Sequence, residues 1–134
     1  MKLNIGDTAE ITKTITERDI EAFAEVTGDR NPVHLDEEFA KTTRFGRRIA
    51  HGMLTASLIS SVLANQLPGE GSVYLGQTLQ FVVPVFPGDE ITARVTVIEV
   101  RENRPIVELE TICVNQRGET VIRGEAKVLV SEVK

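Results

Sequence analysis

Apolar and polar residues change their period several times along the chain. From Thr8 to Ile15 they alternate loosely, with Ala9, Ile11 and Ile15 on one side and Thr8, Glu10, Thr12 and Thr14 on the other. This predicts a short, half-exposed strand. Ile20, Phe23, Ala24 and Thr27 then recur at helical spacing, with Glu17, Asp19, Glu21 and Glu25 turned outward. Thr16 followed by Asp19 resembles a capping box and Gly28 is a stop signal, so a helix is predicted over Glu17–Thr27. Pro32 holds Asn31 extended, so that helix cannot continue through it. Asp36 is placed to cap a short helix reaching about Thr42. From Ala50 to about Leu67 the chain is Ala, Gly, Met, Leu, Ile and Val, interrupted mainly by Thr55, Ser57, Ser60, Ser61, Asn65 and Gln66. No charge appears before Glu70. A helix apolar almost all round is a buried helix, and Pro68-Gly69 ends it.

The remainder reads as strands. Val73, Leu75, Leu79, Phe81 and Val83 alternate, as do Ile91, Ala93, Val95 and Val97, then Val107, Leu109, Thr111 and Cys113. Ile122, Ala126, Val128 and Val130 close the series. Turns fall at Pro87-Gly88-Asp89, Arg101–Pro105 and Asn115–Glu119. Such short spacings imply antiparallel neighbours. One buried helix followed by a long meander predicts an α+β hotdog architecture, with the antiparallel sheet curled around a central helix. The open sheet edge invites pairing with a second copy, so a homodimer is expected.

Composition narrows the functional classes. The 134 residues suit a single domain spanning 1–134, large enough to bury roughly two-thirds of its unfolded surface. A net charge of −5, few aromatics and no tryptophan argue against nucleic-acid binding, which calls for basic footprints or stacking platforms. No stretch approaches the ~20 apolar residues of a membrane span, and Met1–Asp7 lacks the apolar centre of a signal peptide. The single cysteine, Cys113, allows no internal disulfide, in keeping with a cytoplasmic location; its apolar neighbours suggest an inert buried thiol.

Candidate chemistry concentrates in Gly28-Asp29-Arg30-Asn31-Pro32-Val33-His34. Around a proline turn Asp29 and His34 can converge, and a carboxylate and an imidazole sharing one water can move protons in both directions near neutral pH. The plainer alternative is a turn aspartate beside an ordinary histidine. Asn31 either binds substrate, fixes His34 or simply starts the turn. Gly52 opens the buried helix, where backbone N–H groups lack internal partners and a ligand oxygen can approach closely; close packing is the alternative. His51 reads as a helix-start residue. Lys41, Arg44, Arg47 and Arg48 form either a receptor for carrier phosphates or a solvated connector. Neither a glycine-rich phosphate loop nor a Gly-x-Ser-x-Gly elbow is present, and two histidines with one cysteine make a structural zinc site improbable on composition.

The Gly28–His34 segment with Ala40, Ile49-Ala50-His51-Gly52-Met53-Leu54, Tyr74-Leu75-Gly76-Gln77 and Pro84–Glu90 together resemble the MaoC-like (R)-specific enoyl-CoA hydratases, in particular the short single-hotdog bacterial type. Phe23 departs from a tyrosine often found near that position. The resemblance implies reversible syn hydration of a trans-2-enoyl-CoA to an (R)-3-hydroxyacyl-CoA, on CoA or acyl carrier protein, in fatty acid or polyhydroxyalkanoate metabolism. It implies Asp29 and His34 as the catalytic pair, with Asp29 as base and His34 as donor to C2, or the roles shared or reversed. It further implies Gly52 as the oxyanion contact, Asn31 shaping the site, Ser60 and Leu63 lining the acyl pocket, and no metal or redox cofactor. The rival readings are a hotdog thioesterase and a non-catalytic acyl-CoA-binding subunit.

Overall fold

The computed structural model describes residues 2–130. Its centre is the apolar helix α4 (Gly52–Asn65). Before it come β1 (Thr8–Thr14), α1 (Glu17–Thr27), α2 (Pro32–Leu35) and α3 (Glu37–Ala40). After it come β2 (Val73–Gln77), β3 (Gln80–Phe81), β4 (Glu90–Val100), β5 (Ile106–Val114) and β6 (Thr120–Leu129). The strands form one antiparallel sheet in the order β1-β4-β5-β6-β2, with β3 also paired to β6. This is the α+β arrangement expected from the sequence.

Alternation decides which side of each strand meets the helix. On β4, Ile91, Ala93, Val95 and Val97 are buried, and on β5 Val107, Leu109 and Cys113 are. They share one core with Leu58, Ile59, Val62 and Leu63 of α4, closed at one end by Ile15 and Ile20. Burial pushes the Cys113 thiol up to about 12, so it is protonated and inert at neutral pH.

The ends of α1 follow its sequence signals closely. The Thr16 hydroxyl accepts from the Asp19 N–H and the Asp19 carboxylate from the Thr16 N–H, both at 3.0 Å. That backbone bond holds the Asp19 carboxyl below the usual carboxylate range, and Lys13 assists. Gly28 ends the helix at φ 80°, a left-handed conformation that favours glycine.

Two elements depart from expectation. The alternating run 73–83 breaks at Thr78-Leu79 into β2 and β3. The Thr78 carbonyl there lies against Gly124, where an added Cβ would fall 1.8 Å from the oxygen; only glycine permits this crossing. Helix α4 is also less enclosed than its composition suggests. Met53, Ser57, Ser60 and Ala64 form an exposed stripe along it, at positions one helical face apart. No helix among the described residues is long and apolar enough to cross a membrane.

Candidate active site

The loop after α1 is tied down by its own polar groups. The Asp29 N–H donates to the Thr27 hydroxyl at 3.1 Å, and the Asp29 carboxylate accepts the Asn31 N–H at 3.3 Å through one oxygen, Oδ1. The Asn31 side-chain oxygen in turn accepts the Val33 N–H at 3.2 Å. Asn31 is therefore the N-cap of α2, with Pro32 in its first turn, where a missing N–H costs nothing. A proline turn bringing Asp29 and His34 together was expected here; the turn takes the form of a one-turn helix, and both side chains reach the same cavity wall. Asn31 itself is exposed and serves the loop.

His34 projects from the end of α2. Its Nδ1 lies 2.8 Å from the Ile49 carbonyl oxygen. A carbonyl can only accept, so Nδ1 carries the proton and Nε2 of the neutral ring presents a lone pair. The His34 imidazole is half-buried, and desolvation lowers its pKa from the ordinary value of 6.5; the His51 ring adds to the depression, while the Ile49 carbonyl and the Asp29 carboxylate oppose it.

His51 stands immediately before α4 in the N-cap position, as its place in the sequence implies, but its side chain caps nothing. It is buried, and its Nε2 lies 3.0 Å from the backbone oxygen of Asp29, so Nε2–H donates there. Its Nδ1 is buried without a hydrogen-bond partner among the described residues. The ring stacks on His34 at 4.0 Å with 29° between the planes, and Phe23 packs at 4.8 Å on it. The helix-start position of His51 was legible in the sequence, but its place in the site was not. The available signal was a polar ring inside the apolar run Ile49-Ala50-His51-Gly52-Met53-Leu54, a setting in which buried polar groups need partners.

These pieces face one cavity of about 530 Å³, whose wall includes Asp29, His34, His51, Gly52, Thr55 and Phe81. One ligand-type atom each from Asp29, His34 and His51 falls within 4.8 Å of the others. Each ring gives one nitrogen to a backbone carbonyl, which leaves Nε2 of His34 and Nδ1 of His51 as the unshared ring atoms of the group. At Gly52 the N-terminus of α4 opens onto this cavity with no side-chain cap, leaving partly positive N–H groups for a ligand oxygen. A Cβ at Gly52 would lie 2.7 Å from the Phe81 ring.

The structure thus gathers Asp29, His34 and Gly52 around a single space. Ser60 lines a second cavity, also about 530 Å³, together with Phe23, Ser57, Tyr74, Leu75 and Leu79. Met53 borders both cavities. Leu63 is packed into the core and is in neither wall. Of the four basic residues, Lys41 pairs with Glu38 at 3.2 Å, and the largely covered Arg48 pairs with Glu17 and Glu37 at 2.8 and 3.4 Å. Arg44 stands in the wall of the first cavity and Arg47 stacks on Phe86.

Comparison with known proteins places this geometry in a family. The family model described as "MaoC like domain" matches residues 4–118, and the chain belongs to that family. It is 50% identical over 126 residues to an (R)-specific enoyl-CoA hydratase of Aeromonas caviae, covering 94% of both proteins. It is 48% identical over 128 residues to a 3-hydroxybutyryl-CoA dehydratase of Methylorubrum extorquens, covering 96% of this chain and 81% of that one. Among solved structures it is similar to the (R)-hydratase of A. caviae involved in PHA biosynthesis, with a TM-score of 0.94 at 49% identity over 96% of this chain and 98% of that one.

Proposed function

We infer that this protein is a hydro-lyase, an (R)-specific enoyl-CoA hydratase that adds water reversibly and syn across a trans-2-enoyl-CoA. The observation that carries the reading is the shared cavity: Asp29 and His34 stand together in it, and the uncapped N-terminus of α4 at Gly52 opens into it. Conjugation with the thioester makes C3 electrophilic. The carbonyl oxygen sits at the Gly52 N–H, which stabilises the enolate-like charge as it forms. One carboxylate oxygen of Asp29 accepts the Asn31 N–H, leaving the other to hold a water above C3.

The His34 tautomer sets the proton route. With Nδ1 committed to Ile49, Nε2 has no proton to give until it has taken one. As the water oxygen bonds to C3, Nε2 takes the water proton, and the resulting imidazolium delivers it to C2. His34 keeps the expected role of donor to C2 and also takes the role of base first expected of Asp29, which orients the water; the ring returns to its starting state. One imidazole working on one face gives syn addition.

The apolar residues on the sheet edge favour a second copy of this chain as partner. Val73, Tyr74 and Leu75 of β2 are exposed beside Phe81 and Val82, and unpaired strand edges of this character are ordinarily covered. A homodimer in the cytoplasm is the assembly that fits. Sedimentation at micromolar concentration as a sharp monomer would exclude it.

The activity is tested by following loss of enoyl absorbance with crotonyl-CoA and analysing the chirality of the product. Release of free CoA, read with a thiol reagent, would instead indicate a thioesterase. Binding without any change in enoyl absorbance would indicate a non-catalytic subunit.

A further inference from the structure

We propose that Arg44 and Arg47 form a phosphate-binding rim that holds the 4′-phosphopantetheine end of the substrate's carrier. The inference rests on the hydratase reading above and deepens it. Arg44 is exposed and is the one cationic side chain in the wall of the catalytic cavity among the described residues. Its guanidinium lies over the Phe45 ring, 5.4 Å from the centroid. Three residues on, the Arg47 guanidinium lies 3.9 Å from the centroid of Phe86.

Neither arginine has a carboxylate partner among the described residues, whereas Lys41 and Arg48 on the same connector are both paired. In a chain with a net charge of −5, two guanidiniums without a carboxylate partner, one of them in the wall of the catalytic cavity, are free to take an anion. The aromatic faces hold them by cation–π contact while leaving their N–H forks open, and a planar fork matches two phosphate oxygens. The substrate supplies such a group at the right end. The thioester enters at Gly52, and the flexible pantetheine arm carries the phosphate back out toward the rim. The phosphate recognised is common to CoA and to the prosthetic arm of acyl carrier protein.

The test compares crotonyl thioesters of CoA, of 4′-phosphopantetheine and of pantetheine, in the unaltered protein and in R44Q/R47Q. Glutamine keeps a polar stem and removes the charge. The expected result is a phosphate advantage in kcat/KM, CoA over pantetheine, that falls on the order of 10–100-fold in the double variant, mainly through KM. If crotonyl-phosphopantetheine shows the same loss as crotonyl-CoA, the 4′-phosphate is the group held. If only crotonyl-CoA shows it, the nucleotide phosphates are the groups held and the assignment to the 4′-phosphate is overturned. An unchanged phosphate advantage in R44Q/R47Q overturns the proposal. Calorimetric titration with free CoA against pantetheine reads the same rim without turnover. Failure of the unaltered protein to hydrate any of the three thioesters would sink the hydratase reading, while a CoA-over-pantetheine difference that depends on the two arginines would still stand.

Discussion

His34 and His51 stack ring on ring at 4.0 Å and reach outward to two different backbone carbonyls. His34 holds Ile49 and His51 holds Asp29. The two bonds cross between the loop 28–34 and the segment 49–52, and so fix Asp29 and His34 relative to the start of α4. The prediction is that His51→Phe keeps a ring against His34 and loses the tether on Asp29. The change also removes the unpartnered Nδ1, so stability should move little, because losing an orphan offsets losing a bond. The expected outcome is a kcat at least about tenfold lower with KM nearly constant, since misplacing a reacting group acts on the chemical step. Unaltered kcat would show that the tether does not matter.

His34→Gln should lower kcat by ~10²–10⁴-fold, the usual contribution of a positioned acid or base, and Asp29→Asn should lower kcat by loss of the carboxylate that orients the attacking water. Neither side chain is in the core, so circular dichroism and melting temperature should stay close to those of the unaltered protein. Near-normal turnover in both variants would rule out the pair.

The depressed pKa of His34 has two consequences with the same sign. Nε2 stays unprotonated to a pH below the ordinary value of 6.5, so the acid limb of kcat/KM should inflect below that value. The unfolded chain binds a proton at His34 more readily than the folded one, so between the depressed folded value and 6.5 stability rises with pH. Acidification through that window should therefore cost stability, and His34→Gln should flatten this part of the stability profile. An acid limb inflecting above 6.5 would contradict the burial argument.

Local signals account for much that the sequence shows. The capping box at Thr16 and Asp19, the stop at Gly28 and the alternation of β4 and β5 are short-range properties, set by neighbours within a few residues. The contents of the site are long-range. The residue types of Asp29, His34 and Gly52 were visible, but the fold over α2 that turns His34 inward depends on Asn31 acting as a cap. His51 was legible as a helix-start residue but not as part of the site, because its partners, Asp29 and His34, lie 22 and 17 positions away. The break between β2 and β3 was illegible for the same reason. It depends on Gly124, more than forty residues downstream, admitting the Thr78 carbonyl.

Gly52→Ala tests the helix N-terminus. The new methyl group would meet the Phe81 ring at 2.7 Å. Phe81 is more than half exposed, so its ring can swing away at modest cost. The thioester cannot make the same adjustment, because it must reach the N–H beside the new methyl. A loss in kcat of ~10²–10³-fold is expected, comparable to losing an oxyanion donor. The double variant Gly52→Ala/Phe81→Ala separates the causes: if packing against Phe81 is responsible, activity returns, and if carbonyl approach is responsible, it does not.

Ser60 and Leu63 share a helix face by spacing but not by surroundings, and their substitutions should have different effects. Ser60 is exposed in the second cavity, which meets the catalytic one at Met53. If the acyl tail runs past Met53 into that space, Ser60→Leu shortens it, and kcat/KM should fall for octenoyl-CoA while holding for crotonyl-CoA. Leu63 is buried in the core among residues of the sheet. Leu63→Ala leaves a cavity there, so the expected cost is ~2–5 kcal/mol of stability, read by denaturant melts, whatever it does to chain length. A Leu63→Ala protein with undiminished stability and a lengthened substrate range would instead place that side chain at the end of the acyl pocket.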